Sequence, residues 1–266
     1  MHPAVLIVGS SPTAPVCAGW HLANVRTIAL NNAWRLRSDF DYSFYPPDFP
    51  VAQHAPHDGP TRHIQADVFL QSLAECGGRV FTGATMAFAA GYWAYTRLTP
   101  PLLAYAGCDM TYSPVDGKTH FYGTGTADPL RVNISLRSLE AKSCRLFIKA
   151  LLRGTLVVNV SGQPESRLVF PRVPPTLLEC WQRQAALLAE VTTLPMLSAI
   201  QDTATQIEEQ ERRAPFEAFQ VGKIPPTAAN LAFVDDLDRQ WLNLQFASRQ
   251  IEQGLLTGLS AARHPC

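Results

Sequence analysis

The sequence lacks any cysteine spacing that would indicate a metal finger or a redox pair. Its six cysteines stand singly, with no C-x-x-C among them. They are Cys17, Cys76, Cys108, Cys144, Cys180 and Cys266. This scatter favours reduced, mostly buried thiols, and the length of 266 residues excludes a disulfide-stapled miniprotein.

The sequence also lacks an excess of charge of either sign. Lys and Arg together number 22, and Asp and Glu together also number 22. Bulk attraction to a polyanion needs a net positive field, so a nucleic-acid binder that relies on overall charge is excluded. Because 47% of the residues are hydrophobic and 17% are charged, the chain can bury a substantial core.

Long apolar runs are absent as well. No stretch reaches the roughly 18 apolar residues that cross a bilayer, and the amino terminus leads into Ala4–Val8 without a basic start. We therefore expect a soluble cytoplasmic protein, with peripheral contact with the inner membrane left open.

What the sequence does contain is a series of short apolar runs that end in small or polar residues. This pattern is typical of buried parallel strands that lead into turns and then helices, and it predicts an α/β fold. The predicted strands are Val5–Val8, Thr27–Leu30, Tyr42–Tyr45, Arg79–Phe81, Leu102–Ala106 and Thr155–Val160. In open parallel sheets the carboxyl ends of the strands face the ligand.

Helical patterns accompany the strands and dominate the end of the chain. One helix is predicted from Thr85 to Thr96, capped by Thr82, and an amphipathic one from Ser135 to Leu152. Three longer patterns follow, namely Leu177–Val191, Met196–Glu211 and Thr227 to about Leu256. We therefore predict an α/β domain over residues 1–172 and a helical appendage over 173–266.

The appendage carries an apolar stripe in its last helical pattern. Its members are Leu231, Val234, Leu237, Trp241, Leu244 and Ile251. Such a stripe is more often a packing face than a cofactor site. It is expected to dock on the α/β domain, or else on a partner subunit or a membrane, in that order.

Two turns are suited to phosphate binding. The segment Gly9-Ser10-Ser11-Pro12-Thr13 and the segment from Thr82 to Thr85, with Gly83, each offer small hydroxyls and backbone N–H groups before a predicted helix. The first turn lacks the Gly-x-Gly-x-x-Gly pattern and the lysine of a P-loop, so a plain strand-to-helix turn is its alternative. Two such turns on one sheet favour a nucleotide ligand more than either turn alone.

Further polar candidates follow the strand Leu102–Ala106. Asp109 can accept ribose hydroxyls or fix a loop. The Gly-rich segment from His120 to Asp128 combines an imidazole, a phenol and hydroxyls, and it can close over a substrate or be a surface loop. The polar, His-rich stretch from Pro46 to Asp67 reads as a long loop that is able to touch substrate. Its loose histidine spacing does not predict a metal site.

Several blocks, in order, resemble the bacterial sialyltransferases that build the outer carbohydrate of lipooligosaccharide, and more distantly a broader superfamily of Rossmann-like proteins. The blocks are Val5–Thr13, Leu30–Asn32, Phe44–Pro46, Thr82–Met86, Ala106–Tyr112, Thr119–Asp128, Asn159–Ser161 and Ser166–Leu168. The similarity covers roughly residues 5 to 172. The resemblance implies a Rossmann-like, mostly parallel sheet flanked by helices.

The resemblance also implies an activity, which is transfer of an acidic sugar from a CMP-activated donor to a carbohydrate hydroxyl. The implied partners are the nucleotide sugar and a glycan acceptor, and no metal or other cofactor is required. A homo-oligomer remains open. By position, Asn31 or Asn32 matches the family's donor-binding asparagine, and Thr82 replaces a serine of its second nucleotide turn. Ser10 and Ser11 stand where the family has an asparagine.

The catalytic group is where this sequence departs from the family. Thr124 occupies the position of the family's catalytic histidine and stays a substrate-binding candidate, while His120 aligns with an earlier histidine of the same loop. His120, or a histidine of the Pro46–Asp67 stretch, is then the expected base. Tyr112, one residue from a family tyrosine that holds the donor phosphate, and Tyr122 are the expected donors to the leaving group.

Two alternatives of other classes remain open. A pyrophosphokinase-like nucleotide enzyme would need clustered carboxylates for Mg²⁺, which Asp109, Asp116 and Asp128 offer loosely. A non-catalytic scaffold with a degraded site is favoured by the missing histidine and by the long helical tail.

Overall fold

The chain folds around a six-stranded, all-parallel sheet in the order β4-β3-β2-β1-β5-β6. The computed structural model describes residues 2–111, 118–124, 134–183, 186, 189–190, 195–218 and 227–261. The strands are β1 (Ala4–Val8), β2 (Val25–Leu30), β3 (Tyr42–Phe44), β4 (Arg62–Ile64), β5 (Leu102–Ala106) and β6 (Leu156–Asn159). The α/β, Rossmann-like architecture predicted from the sequence is confirmed.

The central strands are buried along their whole length. Every residue of β1, β5 and β6 is buried, because helices cover both faces of the sheet. This burial explains the continuous apolar runs from which these three strands were predicted.

The order of the strands creates a switch point between β1 and β5. β2, β3 and β4 follow one another outward on one side of β1, and β5 and β6 lie on the other side. Val8, the last residue of β1, is paired in register with Ala29 on β2 and with Ala106 on β5. The segments that follow β1, β2 and β5 therefore emerge side by side, at the position where open α/β sheets bind ligands.

Eight α-helices are described. They are α1 (Ala66–Glu75), α2 (Arg79–Thr82), α3 (Met86–Trp93), α4 (Leu139–Leu151), α5 (Thr176–Cys180), α6 (Met196–Arg212), α7 (Ala228–Leu242) and α8 (Phe246–Ala261). The hydroxyls of Thr85, Ser138 and Thr227 cap α3, α4 and α7 by accepting backbone N–H groups of the first turn. The segments after β1 and β2 form short 3₁₀ helices, Ala14–Gly19 and Asn31–Leu36.

Five details of the sequence prediction are wrong. The predicted helix Leu177–Val191 is broken, because the five-residue α5 is followed by a turn at residues 181–183. The pattern from Thr227 to about Leu256 forms two helices separated by the 3₁₀ helix Asn243–Gln245.

Arg79–Phe81 lies in the helix α2 rather than in a strand, and the cap of α3 is Thr85 rather than Thr82. The hydroxyl of Thr82 instead donates to the Gly78 carbonyl within its own turn, at 3.0 Å. The stretch from Pro46 to Asp67, expected to be a loop throughout, contains the edge strand β4.

The C-terminal helices pack on the α/β part through α4. Val234, Leu237 and Trp241 of the predicted stripe are buried against it. An ion pair joins Lys142 on α4 to Asp238 on α7 at 2.6 Å, with both side chains almost completely buried. The stripe is therefore a packing face within the chain.

A second buried ion pair fixes α6 to the same helix. The guanidinium of Arg145 donates to both carboxylate oxygens of Glu211, at 2.8 and 2.6 Å, and also to the Tyr92 hydroxyl and the Cys76 carbonyl. The Trp241 indole N–H donates to Glu211 at 2.9 Å. Every member of this network is hydrogen-bonded, which is the condition under which buried charges are tolerated.

Two further findings bear on the sequence expectations. Cys17, Cys76, Cys108 and Cys144 are buried free thiols. Among the helices in the described ranges, none combines the length and the hydropathy needed to cross a membrane.

Candidate functional site

The turns that follow β1 and β5 pack directly on each other at the switch point. A Cβ added to Gly9 would lie 2.3 Å from the Gly107 carbonyl oxygen, and one added to Gly107 would lie 2.8 Å from the Ala14 Cβ. Gly107 also has a φ of +65°, which side chains rarely adopt. Only glycine fits these two positions, so the close contact of the turns depends on both.

This contact changes how the first turn can hold a phosphate. The backbone N–H groups of Gly9 and Ser11 donate to the carbonyls of Ala106 and Gly107, at 2.8 and 3.0 Å. The helix that follows is a six-residue 3₁₀ helix, and Thr13 makes no side-chain cap there. The prediction that the backbone N–H groups of this turn are offered to a phosphate is therefore wrong for Gly9 and Ser11, because both groups are already bonded within the chain. The side-chain hydroxyls of Ser11 and Thr13 remain as possible phosphate donors. Both residues are half-buried, and the two hydroxyl oxygens are 3.0 Å apart.

The segment 118–124 lies on this turn. The Phe121 N–H donates to the Ser10 carbonyl at 3.1 Å, and His120 and Gly123 exchange two backbone hydrogen bonds of 3.0 Å each. These bonds place the half-buried His120 at the switch point. The hydroxyl of Thr119 contacts the Nδ1 atom of His120 at 3.0 Å.

The environment of His120 favours its neutral form. Partial burial lowers the pKa of His120 below its usual value. The phenol ring of Tyr122 stacks beside the imidazole, with centroids 5.1 Å apart, and is 40% exposed. Thr124, at the end of this segment, is exposed, and Tyr112 falls outside the described residues.

Asn31 and Asn32 follow β2, and each carries an amide oxygen that has no partner among the described residues. The Oδ1 atoms of both side chains are buried without a hydrogen-bond partner in the described part of the chain. The Nδ2 of Asn32 donates to Gln53 Oε1 at 2.9 Å. Asn31 has a φ of +51°, in the left-handed region that asparagine adopts more readily than other residues with a side chain. A buried acceptor without a partner in the chain calls for a donor from outside it, such as a water, an ion or a ligand.

Asp109 is fixed in an internal network beyond β5. It is 1% exposed, and its two oxygens accept from Asn159 Nδ2 at 3.2 Å and from the Ser161 hydroxyl at 2.5 Å. Asn159 Nδ2 also contacts the hydroxyl of Ser166 at 3.1 Å. Of its two predicted roles, ribose binding and loop fixing, the structure shows the second.

The second predicted phosphate turn is closed. Thr82 is completely buried, and a Cβ on Gly83 would lie 2.7 Å from the Phe88 ring. The expected substrate contact of Thr82 is therefore not supported by this geometry. Thr85 caps the first turn of α3, because its Oγ1 accepts the Phe88 N–H at 3.2 Å.

A ring cluster joins the segment between β3 and β4 to β4 itself. Its members are Tyr45, Phe49, His54 and His57 of that segment and His63 of β4. The Tyr45 and His54 rings stack at 4.0 Å between centroids, and the His57 and His63 rings stack at 3.9 Å. The Tyr45 hydroxyl contacts His63 Nδ1 at 3.2 Å. Burial and the neighbouring histidines lower the pKa of His63. Among the residues that the structure describes, no group of three or more metal-binding side chains is arranged to hold a metal ion.

The ring cluster is tied back to the end of β2 by Gln53. Its side chain accepts from Asn32, and its carbonyl accepts the Trp34 indole N–H at 2.8 Å. The sequence predicted that this stretch touches substrate but did not reveal the pairing, because Asn32 and Gln53 are 21 residues apart. The sequence feature that comes nearest to indicating this part of the site is the high density of aromatic and histidine residues between Pro46 and Asp67.

A charged cavity of about 280 Å³ opens elsewhere, beside the end of α1. Its buried cations are paired, Arg145 with Glu211 and Lys149 with Glu208. None of the predicted site residues that the structure describes lines it. It is therefore part of the junction between α4 and α6.

Comparisons with protein-family models, curated proteins and solved structures find no match for this chain. The case for a function consequently rests on the geometry of the sheet edge and on the residues placed there.

Proposed function

We propose that the protein is a glycosyltransferase that moves an acidic sugar from a CMP-activated donor to a carbohydrate hydroxyl. The observation that carries the proposal is the half-buried His120, held against the β1 turn at the switch point by the Phe121–Ser10 hydrogen bond. The edge at which open α/β sheets bind ligands and a proton-accepting group would therefore coincide. Sequence resemblance to bacterial sialyltransferases supplies the donor class and the lipooligosaccharide type of acceptor.

The donor is assigned to the edge formed by the ends of β1, β2 and β5. The hydroxyls of Ser11 and Thr13 flank the place expected for the phosphate, and the unpartnered oxygens of Asn31 and Asn32 accept hydroxyl or amino groups of the nucleoside. With an overall charge near zero, the protein holds the anion by such local polar groups rather than by a bulk field.

His120 serves as the base in a single displacement. The acceptor hydroxyl oxygen forms a bond to the anomeric carbon of the donor sugar, its proton passes to the neutral imidazole, and the bond from that carbon to the phosphate oxygen breaks to release CMP. Because burial lowers the pKa of His120, the imidazole is ready to accept a proton at neutral pH. Tyr122, stacked on the same ring, is positioned to donate to the departing oxygen.

The experiment that tests this function is product analysis with CMP-sialic acid or CMP-3-deoxy-octulosonic acid and a panel of glycan acceptors. We expect a new acidic glycoside and stoichiometric CMP. Turnover of UDP- or GDP-sugars in place of CMP-sugars would contradict the donor assignment.

A nucleotide-binding protein without transferase activity is the second candidate. It is favoured by Thr124 at the family's histidine position and by the β1-turn amides that already bond to the end of β5. CMP binding without turnover of any sugar nucleotide would select it.

A further inference from the structure

We propose that the β3–β4 segment, residues 45–61, is an acid-sensitive device. It is closed on the end of β2 while the histidines of the ring cluster are neutral, and it opens when two of them become charged. The inference concerns the fold of this segment and does not depend on the proposed function. It gives a role to a histidine cluster that the displacement with His120 as base does not use.

Side-chain contacts hold the middle of the β3–β4 segment in place. The Gln53 side chain accepts from Asn32 Nδ2 at 2.9 Å, and the Gln53 carbonyl accepts the Trp34 indole N–H at 2.8 Å. The backbone N–H groups of Phe49, Gln53 and His54 donate within the segment, to carbonyls three residues earlier. Its position on the sheet therefore depends largely on side chains.

The ring cluster supplies the remaining contacts in a form that suits neutral histidines. His57 stacks on His63 of β4 at 3.9 Å between centroids, and His54 stacks on Tyr45 at 4.0 Å. The Nε2 atom of His63 lies 3.4 Å from the Pro56 carbonyl, which can only accept, so this nitrogen carries the proton of the neutral ring. The Nδ1 atom of His63 then accepts the Tyr45 hydroxyl at 3.2 Å.

A second positive charge does not fit this arrangement. If His57 and His63 were both protonated, two cations would lie in direct stacking contact and repel each other. Protonated His63 would also lose the acceptor for the Tyr45 hydroxyl. Burial, together with the neighbouring His57 and His54, lowers the pKa of His63, and the bond to the Pro56 carbonyl opposes this shift only in part.

No carboxylate offsets this charge in the part of the chain that the structure describes. The three histidines form no ion pair there, and neither do the charged residues nearest to them along the chain, which are Asp48, Asp58, Arg62 and Asp67. On the elements packed against the segment, Asp41 before β3 pairs with Arg26, and Arg35 after β2 lies over the Trp34 ring. The charged groups that act on His63 are therefore His54 and His57.

Opening of the segment is consequently coupled to uptake of protons. In the open segment the histidines are solvated and regain their usual pKa of about 6.5. The closed form, in which the pKa of His63 is lowered, is favoured above that value and loses stability as the pH falls through the lowered one. Because Gln53 moves with the segment, acid also breaks its bonds to Asn32 and Trp34 at the edge of the sheet.

The experiment is hydrogen exchange followed by mass spectrometry on the intact protein, corrected for the intrinsic effect of pH on exchange. Between about pH 7.5 and about pH 5, we expect the amides of residues 47–61 to lose at least about tenfold in protection. The amides of β1 should change by less than about threefold, because they belong to the core of the sheet.

Variants then test the histidine pair. His57→Phe keeps a ring that can stack on His63 but removes one charge, so the loss of protection in acid should fall below about threefold. His21→Phe is the matched control, because His21 is an exposed histidine before β2, and this variant should lose protection as the wild type does. Melting temperatures at neutral pH verify that both variants fold.

Three results would overturn the inference. The first is protection of residues 47–61 in the wild type that changes by less than about threefold between the two pH values. The second is a loss of protection in folded His57→Phe equal to that of the wild type. The third is an equal loss in β1, since acid would then unfold the whole sheet rather than open this segment.

Discussion

At the scale of single residues, the site differs from its surroundings in how its polar groups are placed. Asn31 and Asn32 have buried amide oxygens without partners among the described residues, and partial burial of His120 disfavours its charged form. Asp109 is the opposite case, because its oxygens are bonded within the chain. The sequence could name these residues, but their separation into open and satisfied groups depends on contacts between distant segments.

The first prediction concerns His120. In His120→Gln the amide keeps hydrogen-bonding capacity but cannot accept the proton, so we expect CMP release with an acceptor to fall by about 10²- to 10⁴-fold. The melting temperature should stay close to that of the wild type. A rate within about threefold of the wild type would remove His120 as the base.

The same residue predicts a pH profile. The neutral imidazole is the active form, and its folded pKa is lowered, so activity should rise with pH below about 6.5 and be level at neutral pH. The rate under saturating donor, measured from pH 5 to 8, checks this. An acid limb centred above pH 7 would contradict the lowered pKa of His120.

At the scale of elements, strands buried on both faces were predictable and the short or edge elements were not. β1, β5 and β6 are continuous apolar runs, so their positions follow from the sequence. β4 has three residues, and its Arg62 is exposed, so the sequence carries no apolar signal there. α2 resembles a strand because Val80 and Phe81 are apolar neighbours, but it forms a single helical turn packed among other helices.

The second prediction concerns the turns at the switch point. In Gly9→Ala the new methyl group would lie within 2.3 Å of the Gly107 carbonyl and would force the turns apart. We expect a loss of stability of about 1–3 kcal/mol in urea unfolding and a loss of nucleotide binding.

Gly19→Ala is the matched control, because a Cβ at Gly19 meets nothing within 4 Å. It should change neither property. Normal nucleotide affinity in Gly9→Ala would show that the contact between the turns does not shape the site.

At the scale of the whole molecule, the predicted boundary near residue 172 divides a shared core. Arg145 and Lys142 lie on α4, within the α/β part, but their carboxylate partners, Glu211 and Asp238, come from α6 and α7. The sequence pattern alone predicted that the appendage, residues 173–266, is helical. Its buried ion pairs were not, because they join positions 66 and 96 residues apart.

The third prediction concerns the Arg145–Glu211 pair. Glu211→Gln leaves the buried guanidinium without a counter-charge, so the free energy of unfolding should fall by about 3–5 kcal/mol. Asp236→Asn is the control, because it breaks an exposed pair with Arg239 and should cost less than about 1 kcal/mol. Similar losses in the two variants would contradict the role assigned to the buried pair.

The same pair predicts a dependence of stability on acid. Burial alone would raise the pKa of Glu211, but Arg145 and Trp241 lower it below the usual 4.5. A lowered carboxyl pKa adds stability that is present above the unfolded pKa and is lost as the pH falls through the folded value. The stability difference between wild type and Glu211→Gln should therefore shrink below pH 4.5. A constant difference down to pH 2.5 would contradict it.

The fourth prediction concerns the chain cut at residue 172. A fragment of residues 1–172 would expose the apolar face of α4 and leave Lys142 and Arg145 without their partners. We expect it to lack a cooperative thermal transition. A cooperative transition near that of the full chain would show that the α/β part is an independent domain.

The central claim is that the edge at the ends of β1, β2 and β5 binds a CMP-activated sugar and transfers it with His120 as base. The most direct measurement is acceptor-dependent release of CMP from a CMP-activated acidic sugar, with the wild type and His120→Gln side by side. The proposal predicts release by the wild type and a rate lower by at least about 10²-fold in the variant. No release by the wild type, or equal release by both proteins, would contradict it.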